Sequence, residues 1–96
     1  MRKGRNAAER RAIADGVHQA MVATIDVPAD DRFQVVTEHD ADALIFDPNY
    51  LGIARSDGFV TIQIALRRGR TPEKKRALYR TIAANLAANP GVRPQD

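Results

Sequence analysis

Residues 59–75 read FVTIQIALRRGRTPEKK, and this stretch decides the fold. Its first half alternates Val60, Ile62, Ile64 and Leu66 against Thr61, Gln63 and Ala65, the period of two that a strand with one buried face requires. The period changes at Thr71, whose hydroxyl can cap a helix, and Pro72 follows at the first helical position, where an absent N–H costs nothing. Leu78, Ile82 and Leu86, with Tyr79 and Ala83, then form the inward stripe of a helix that Asn89-Pro90-Gly91 stops. A strand thus passes into a helix through Arg67-Arg68-Gly69-Arg70.

That turn occurs twice. Arg2-Lys3-Gly4-Arg5 aligns with Arg67-Arg68-Gly69-Arg70 at an offset of 65 residues, from Gly4 to Gly69, and the match continues without a gap. Ile13 meets Leu78, Val17 meets Ile82, Met21 meets Leu86 and Val27 meets Val92, so what repeats is a turn and a helix core. The first helix is expected over 7–25, where Ile13, Val17, Met21 and Ile25 recur every fourth position with Ala20 in the seam. Asn6 and Glu9 can form its capping box, and Val27-Pro28 ends it. Phe33 to Glu38 (FQVVTE) follows as a short strand, and 39–57 is an ordered, turn-rich excursion.

At the same offset, the strand before the first turn would lie almost wholly ahead of Met1, and the strand after the second helix would start near Asp96, the partner of Asp31. A helix joining two strands of one sheet makes a parallel β-α-β crossover. The expected fold is α+β in two layers: a tandem β-α-β repeat with both helices on one face, here truncated and lacking the first and last strands. One domain spans 1–96, with repeat one at about 1–40 and repeat two at about 58–96. Two strands under two helices leave open edges, so the fold is expected to be marginal unless partner chains supply strands.

A content of 44% hydrophobic and 28% charged residues is ordinary for one small globular domain. The absence of Cys excludes a disulfide framework and a thiolate metal site. No apolar run reaches membrane-span length, and Met1 to Arg11 lacks the apolar stretch of a secretory signal, which points to the cytoplasm. The net charge of +3 hides a local excess. Arg67, Arg68, Arg70, Lys74, Lys75, Arg76 and Arg80 are relieved only by Glu73, a patch that attracts anions.

Arg67 and Arg70, between a strand end and a helix amino terminus, could hold a carboxylate or phosphate. Spacing alone fits a solvated turn at least as well, because surface arginines are usually just exposed. Asp30-Asp31-Arg32 could orient or activate water, or simply be an acidic loop. His39-Asp40-Ala41-Asp42 has one imidazole and no second His at ligand spacing, and reads as a polar turn rather than a metal site. His18 reads as a boundary residue. With three Phe and two Tyr there are few stacking aromatics, so nucleic acid is not the expected partner. A non-catalytic basic module holding acidic partners or nucleic acid through the second helix stands as the alternative.

The repeat, the two Gly-Arg turns (Gly4-Arg5-Asn6 and Gly69-Arg70-Thr71-Pro72-Glu73) and the run Val27-Pro28-Ala29-Asp30-Asp31-Arg32-Phe33-Gln34-Val35 together resemble the tautomerase superfamily. Tyr50-Leu51-Gly52-Ile53 and Arg55-Ser56-Asp57 fit its long-chain branch related to malonate semialdehyde decarboxylase. The resemblance implies a homotrimer acting on small carboxylate substrates, with no metal and no organic cofactor. It implies tautomerase-type proton transfer on 2-keto or enol carboxylates, with decarboxylase or hydratase side activity. The family base is an amino-terminal proline whose amine titrates near neutrality in an apolar, cationic pocket. Arg67 and Arg70 match the arginines that grip the carboxylate and stabilise the enolate, and Asp31 matches the acidic residue that handles water or the departing carboxylate. Met1 is followed here by Arg2, and the family proline would begin the strand expected upstream.

Overall fold

The computed structural model describes residues 1–65 and 71–96, and its regular scaffold is a pair of helices, α1 (Ala7–Ile25) and α2 (Pro72–Ala88). Both start where local chemistry dictates. The Asn6 side chain accepts from the Glu9 N–H while the Glu9 carboxylate accepts from the Asn6 N–H, which satisfies two otherwise orphaned donors. Thr71 Oγ1 accepts from the Lys74 N–H at 3.2 Å, with Pro72 at the first helical position. α1 ends one residue before Val27, at Asp26, whose φ of 60° turns the chain out of the helix.

The helices run antiparallel, because Lys74 Nζ at the start of α2 meets Asp26 at the end of α1 (3.0 Å) and Asn85, late in α2, donates to the Gly16 carbonyl (3.0 Å). Ile13, Val17, Ala20 and Ile25 close against Leu78, Ile82 and Leu86, and Val27 and Val92 seal the ends. Burying each such aliphatic side chain contributes roughly 1.5–3 kcal/mol, so this seam is the largest favourable term available. Gly16 makes it possible. A Cβ there would stand 2.8 Å from Leu86 Cδ2 and 3.4 Å from Asn85 Cβ, so only a residue without one lets the helices come this close.

The 65-residue offset relates local geometry as well as letters. Asn6 and Thr71 both cap helices, Asp26 and Gly91 both have positive φ, and the turns closed by Asp31 N–H to Pro28 O (3.0 Å) and Asp96 N–H to Arg93 O (2.9 Å) correspond.

The expected sheet is a correction. Neither 33–38 nor 59–65 contains a turn, bend or helix, yet neither forms a strand ladder among the described residues. The only strand-like pairing described is a parallel bridge between Arg2 and His39. The reason is spatial. Strands pair at roughly 4.7–4.9 Å, whereas these two runs line a cleft of about 470 Å³ together with Ile13, Ala14, Val17 and Met21 of α1, with no hydrogen bond between the runs described. Their side chains still alternate: Phe33 and Val35 are 103% and 87% exposed, while Gln34 reaches the Ala14 carbonyl and Val60 and Ile64 pack on the core.

The excursion is ordered, as expected. Phe46 stacks on Phe59 with centroids 4.7 Å apart, and the Arg2 guanidinium lies 4.9 Å above the Phe46 ring while donating to the Leu44 carbonyl and to Asp57. Farther along, the Asp96 carboxylate accepts from the Ser56 N–H (2.7 Å), the Ser56 hydroxyl and Arg93 Nε (3.1 Å), with its side chain 3% exposed. Burial pushes the Asp96 carboxyl up, but these donors outweigh it and hold it below the ordinary 3.8.

Two outcomes follow for stability. Gly16→Val should overpack the helix seam and cost about 1–3 kcal/mol in urea denaturation. Because the folded Asp96 carboxyl is depressed, its contribution is complete above the unfolded value and disappears as pH falls through the folded one. Asp96→Asn should therefore cost about 1–3 kcal/mol near neutrality and flatten the acid limb of a melting-temperature profile; an unchanged acid limb contradicts the assignment.

Candidate functional site

The turn that carries Arg67 and Arg70 lies outside the described residues, so the structure gives no geometry for either arginine. Its described borders are Ala65, at the end of the second run, and Thr71, the cap of α2. The first turn of a helix offers free N–H groups and the positive end of the dipole, which favours anions next to it. Lys75, Arg76 and Arg80 are exposed on the same helix, and Lys74 is shared with Asp26.

Asp31 sits in the turn closed by its own N–H on the Pro28 carbonyl, and its side chain is exposed. Neighbours hold this turn against α1. The Arg32 guanidinium reaches Asp15 at 2.6 Å and the Gln34 side-chain oxygen at 2.7 Å, the Gln34 amide donates to the Ala14 carbonyl, and His18 Nε2 lies 2.9 Å from the Ala29 carbonyl. The Arg32 hydrogen bond, with help from Arg11 and against burial, holds the Asp15 carboxyl below its ordinary value.

Both cleft-lining runs keep a definite direction relative to α1. Arg5 Nη2 donates to the Gly58 carbonyl just before α1 begins, and Lys74 meets Asp26 where α1 finishes, so the run 59–65 travels along α1 from its amino end to its carboxyl end. The run 33–38 travels the other way, from the loop after α1 to His39 beside Met1. Phe33, two residues after Asp31, and Ala65 both line the cleft.

The first-copy equivalents of the candidate residues are already occupied. Arg2, at the offset of Arg67, is spent on Leu44, Asp57 and Phe46, and Arg5, at the offset of Arg70, holds Gly58. Asp96, at the offset of Asp31, clamps Ser56, while Asp31 keeps an exposed carboxylate. The sequence grouped Arg32 with its acidic neighbours and gave His18 no role. The Arg11–Asp15 spacing, i to i+4, is the one local signal at Asp15, and it does not point to Arg32.

A family profile described as tautomerase enzyme matches residues 31–96, and a second with the same description matches residues 1–54. Two probable tautomerases of Bacillus subtilis (strain 168) are similar along the chain. YusQ is 38% identical over 96 residues, covering 100% of this chain and 76% of its own, and YrdN is 31% identical over 94 residues, covering 98% and 72%. Among solved structures, malonate semialdehyde decarboxylase, studied for its decarboxylase and hydratase activities, superposes with a TM-score of 0.84 at 29% identity, covering all of this chain and 74% of that one. The FG41 malonate semialdehyde decarboxylase inhibited by 3-bromopropiolate gives 0.82 at 35% identity, covering 99% and 72%.

Replacing Asp15 by Asn should release Arg32 and loosen the turn that presents Asp31. Amide exchange should quicken across 30–34 while α1 stays protected, and equal protection in both proteins would show that Asp15 does not anchor the turn.

Proposed function

This chain belongs to the tautomerase family, and on that footing we propose that it moves a proton between carbon and oxygen of a small 2-keto or enol carboxylate. The observation that carries the reading is likeness over the whole chain, to a probable tautomerase by sequence and to two malonate semialdehyde decarboxylases by backbone shape. In it, Arg67 and Arg70 grip the substrate carboxylate and stabilise the enolate as charge moves onto oxygen. Asp31 orients water or assists a departing carboxylate, which would give a decarboxylase or hydratase side activity. The partner is a small carboxylate, and the assembly a homotrimer.

The base in this scheme is the secondary amine of an amino-terminal proline. A secondary amine beside arginines and apolar walls loses its proton near neutrality, because both like charge and desolvation disfavour the ammonium. The prolines present, Pro28, Pro48, Pro72, Pro90 and Pro94, are internal and have no such amine.

The test is an enol-to-keto assay with phenylpyruvate on this chain and on a version extended upstream by a proline-led strand. The extended protein should be active, and Arg70→Ala in it should lower kcat/KM by about 10²–10³ while the melting temperature holds. Asp31→Asn should depress turnover of a β-keto acid more than tautomerisation. Equal inactivity of both chain lengths, or an Arg70→Ala enzyme at full rate, would overturn the proposal.

A further inference from the structure

We propose that His18 is a positioning residue that fixes Asp31 while leaving its carboxylate free, an inference that rests on the role given to Asp31 above. The turn from Pro28 to Asp31 is exposed at every position and leaves α1 through the buried Val27. Its own bond, from the Asp31 N–H to the Pro28 carbonyl, closes the turn but ties it to nothing outside. Among the described residues, what joins these four to α1 is the hydrogen bond from His18 to the Ala29 carbonyl, at 2.9 Å. A carbonyl only accepts, so Nε2 carries the proton. The ring is buried, at 9% exposure, and water has little access to replace that donor.

Asp31 is thereby bracketed. His18 holds the residue two before it, and Asp15 holds Arg32, the residue after it, at 2.6 Å. Asp15 and His18 lie three apart on α1, so both fastenings come from one side of the helix. The ion pair of Arg32 with Asp15 stands in partial solvent, where such pairs contribute little. The buried imidazole is the firmer pin.

The repeat shows what the imidazole makes possible. At the offset of 65, His18 corresponds to Ala83, Ala29 to Pro94 and Asp31 to Asp96. The second copy has no imidazole there, and its turn is fastened by its own carboxylate: Asp96 accepts from the Ser56 N–H, the Ser56 hydroxyl and Arg93 Nε, out of solvent. In the first copy the fastening comes from behind the turn, and the Asp31 carboxylate stays exposed. A carboxylate that must meet water or substrate cannot also serve as the clamp, and misplacing it by about 1 Å can cost on the order of 10²-fold in rate.

The experiment compares His18→Leu, which fills the space without a donor, with His18→Gln, which restores one. In the chain as it stands, His18→Leu should speed amide exchange at Asp31 by about ten-fold or more while the amides of Val17 and Ala20 stay protected, and His18→Gln should return most of the protection. In the version extended upstream by a proline-led strand, His18→Leu should lower kcat for a β-keto acid by about 10–10²-fold, with its KM and phenylpyruvate tautomerisation unchanged, and His18→Gln should recover the rate. Unchanged exchange at Asp31, loss of protection along α1 together with the turn, an equal fall in both reactions, or a Gln variant no better than Leu would each overturn the proposal by making His18 a space-filling residue. An extended protein inert toward both substrates would sink the assignment of function instead, and exchange at Asp31 would still decide whether His18 fixes that residue.

Discussion

Everything in this molecule is referred to one contact, the crossing of α1 and α2 at Gly16. The missing Cβ lets Leu86 lie against the α1 backbone, and the Asn85 amide then reaches the Gly16 carbonyl. With no sheet ladder among the described residues, the helix seam supplies the buried aliphatic surface on which the loops are hung. Where the loops attach is also set from the helices: Gln34 on Ala14, His18 on Ala29, Arg32 on Asp15 and Lys74 on Asp26.

Charged side chains do most of the loop fastening, and they do it at the surface or in partial burial. Ion pairs of this kind are individually worth little in water. Their effect here comes from number and position, since Arg2 couples an electrostatic contact to a ring face and to a backbone carbonyl at once. The clamp at Asp96 differs because its carboxylate is out of solvent and bonded to Ser56 and Arg93, so it binds a loop rather than decorating one.

What could be read from the sequence followed the range of the forces involved. Both helices were legible to within a residue or two, because caps and periodicity are local: Asn6 with Glu9, Thr71 with Pro72, and the apolar stripes. The offset that pairs Ile13 with Leu78 needed no structure at all. The side-chain alternation of 59–65 was legible, but its pairing was not, because a ladder needs a neighbour at strand spacing and the residues themselves do not say where that neighbour stands. Asp31 was legible as an acidic loop residue, whereas Arg32, its positional anchor, pairs across seventeen positions of sequence with Asp15. Arg67 and Arg70 were legible only as a motif, and they fall outside the described residues.

The repeat has a history written into it by the uses its arginines now have. Arg2 and Arg5 are engaged in holding the 44–58 segment. The first turn has become a fastener within the shared frame, so that drift in it would unfasten a loop.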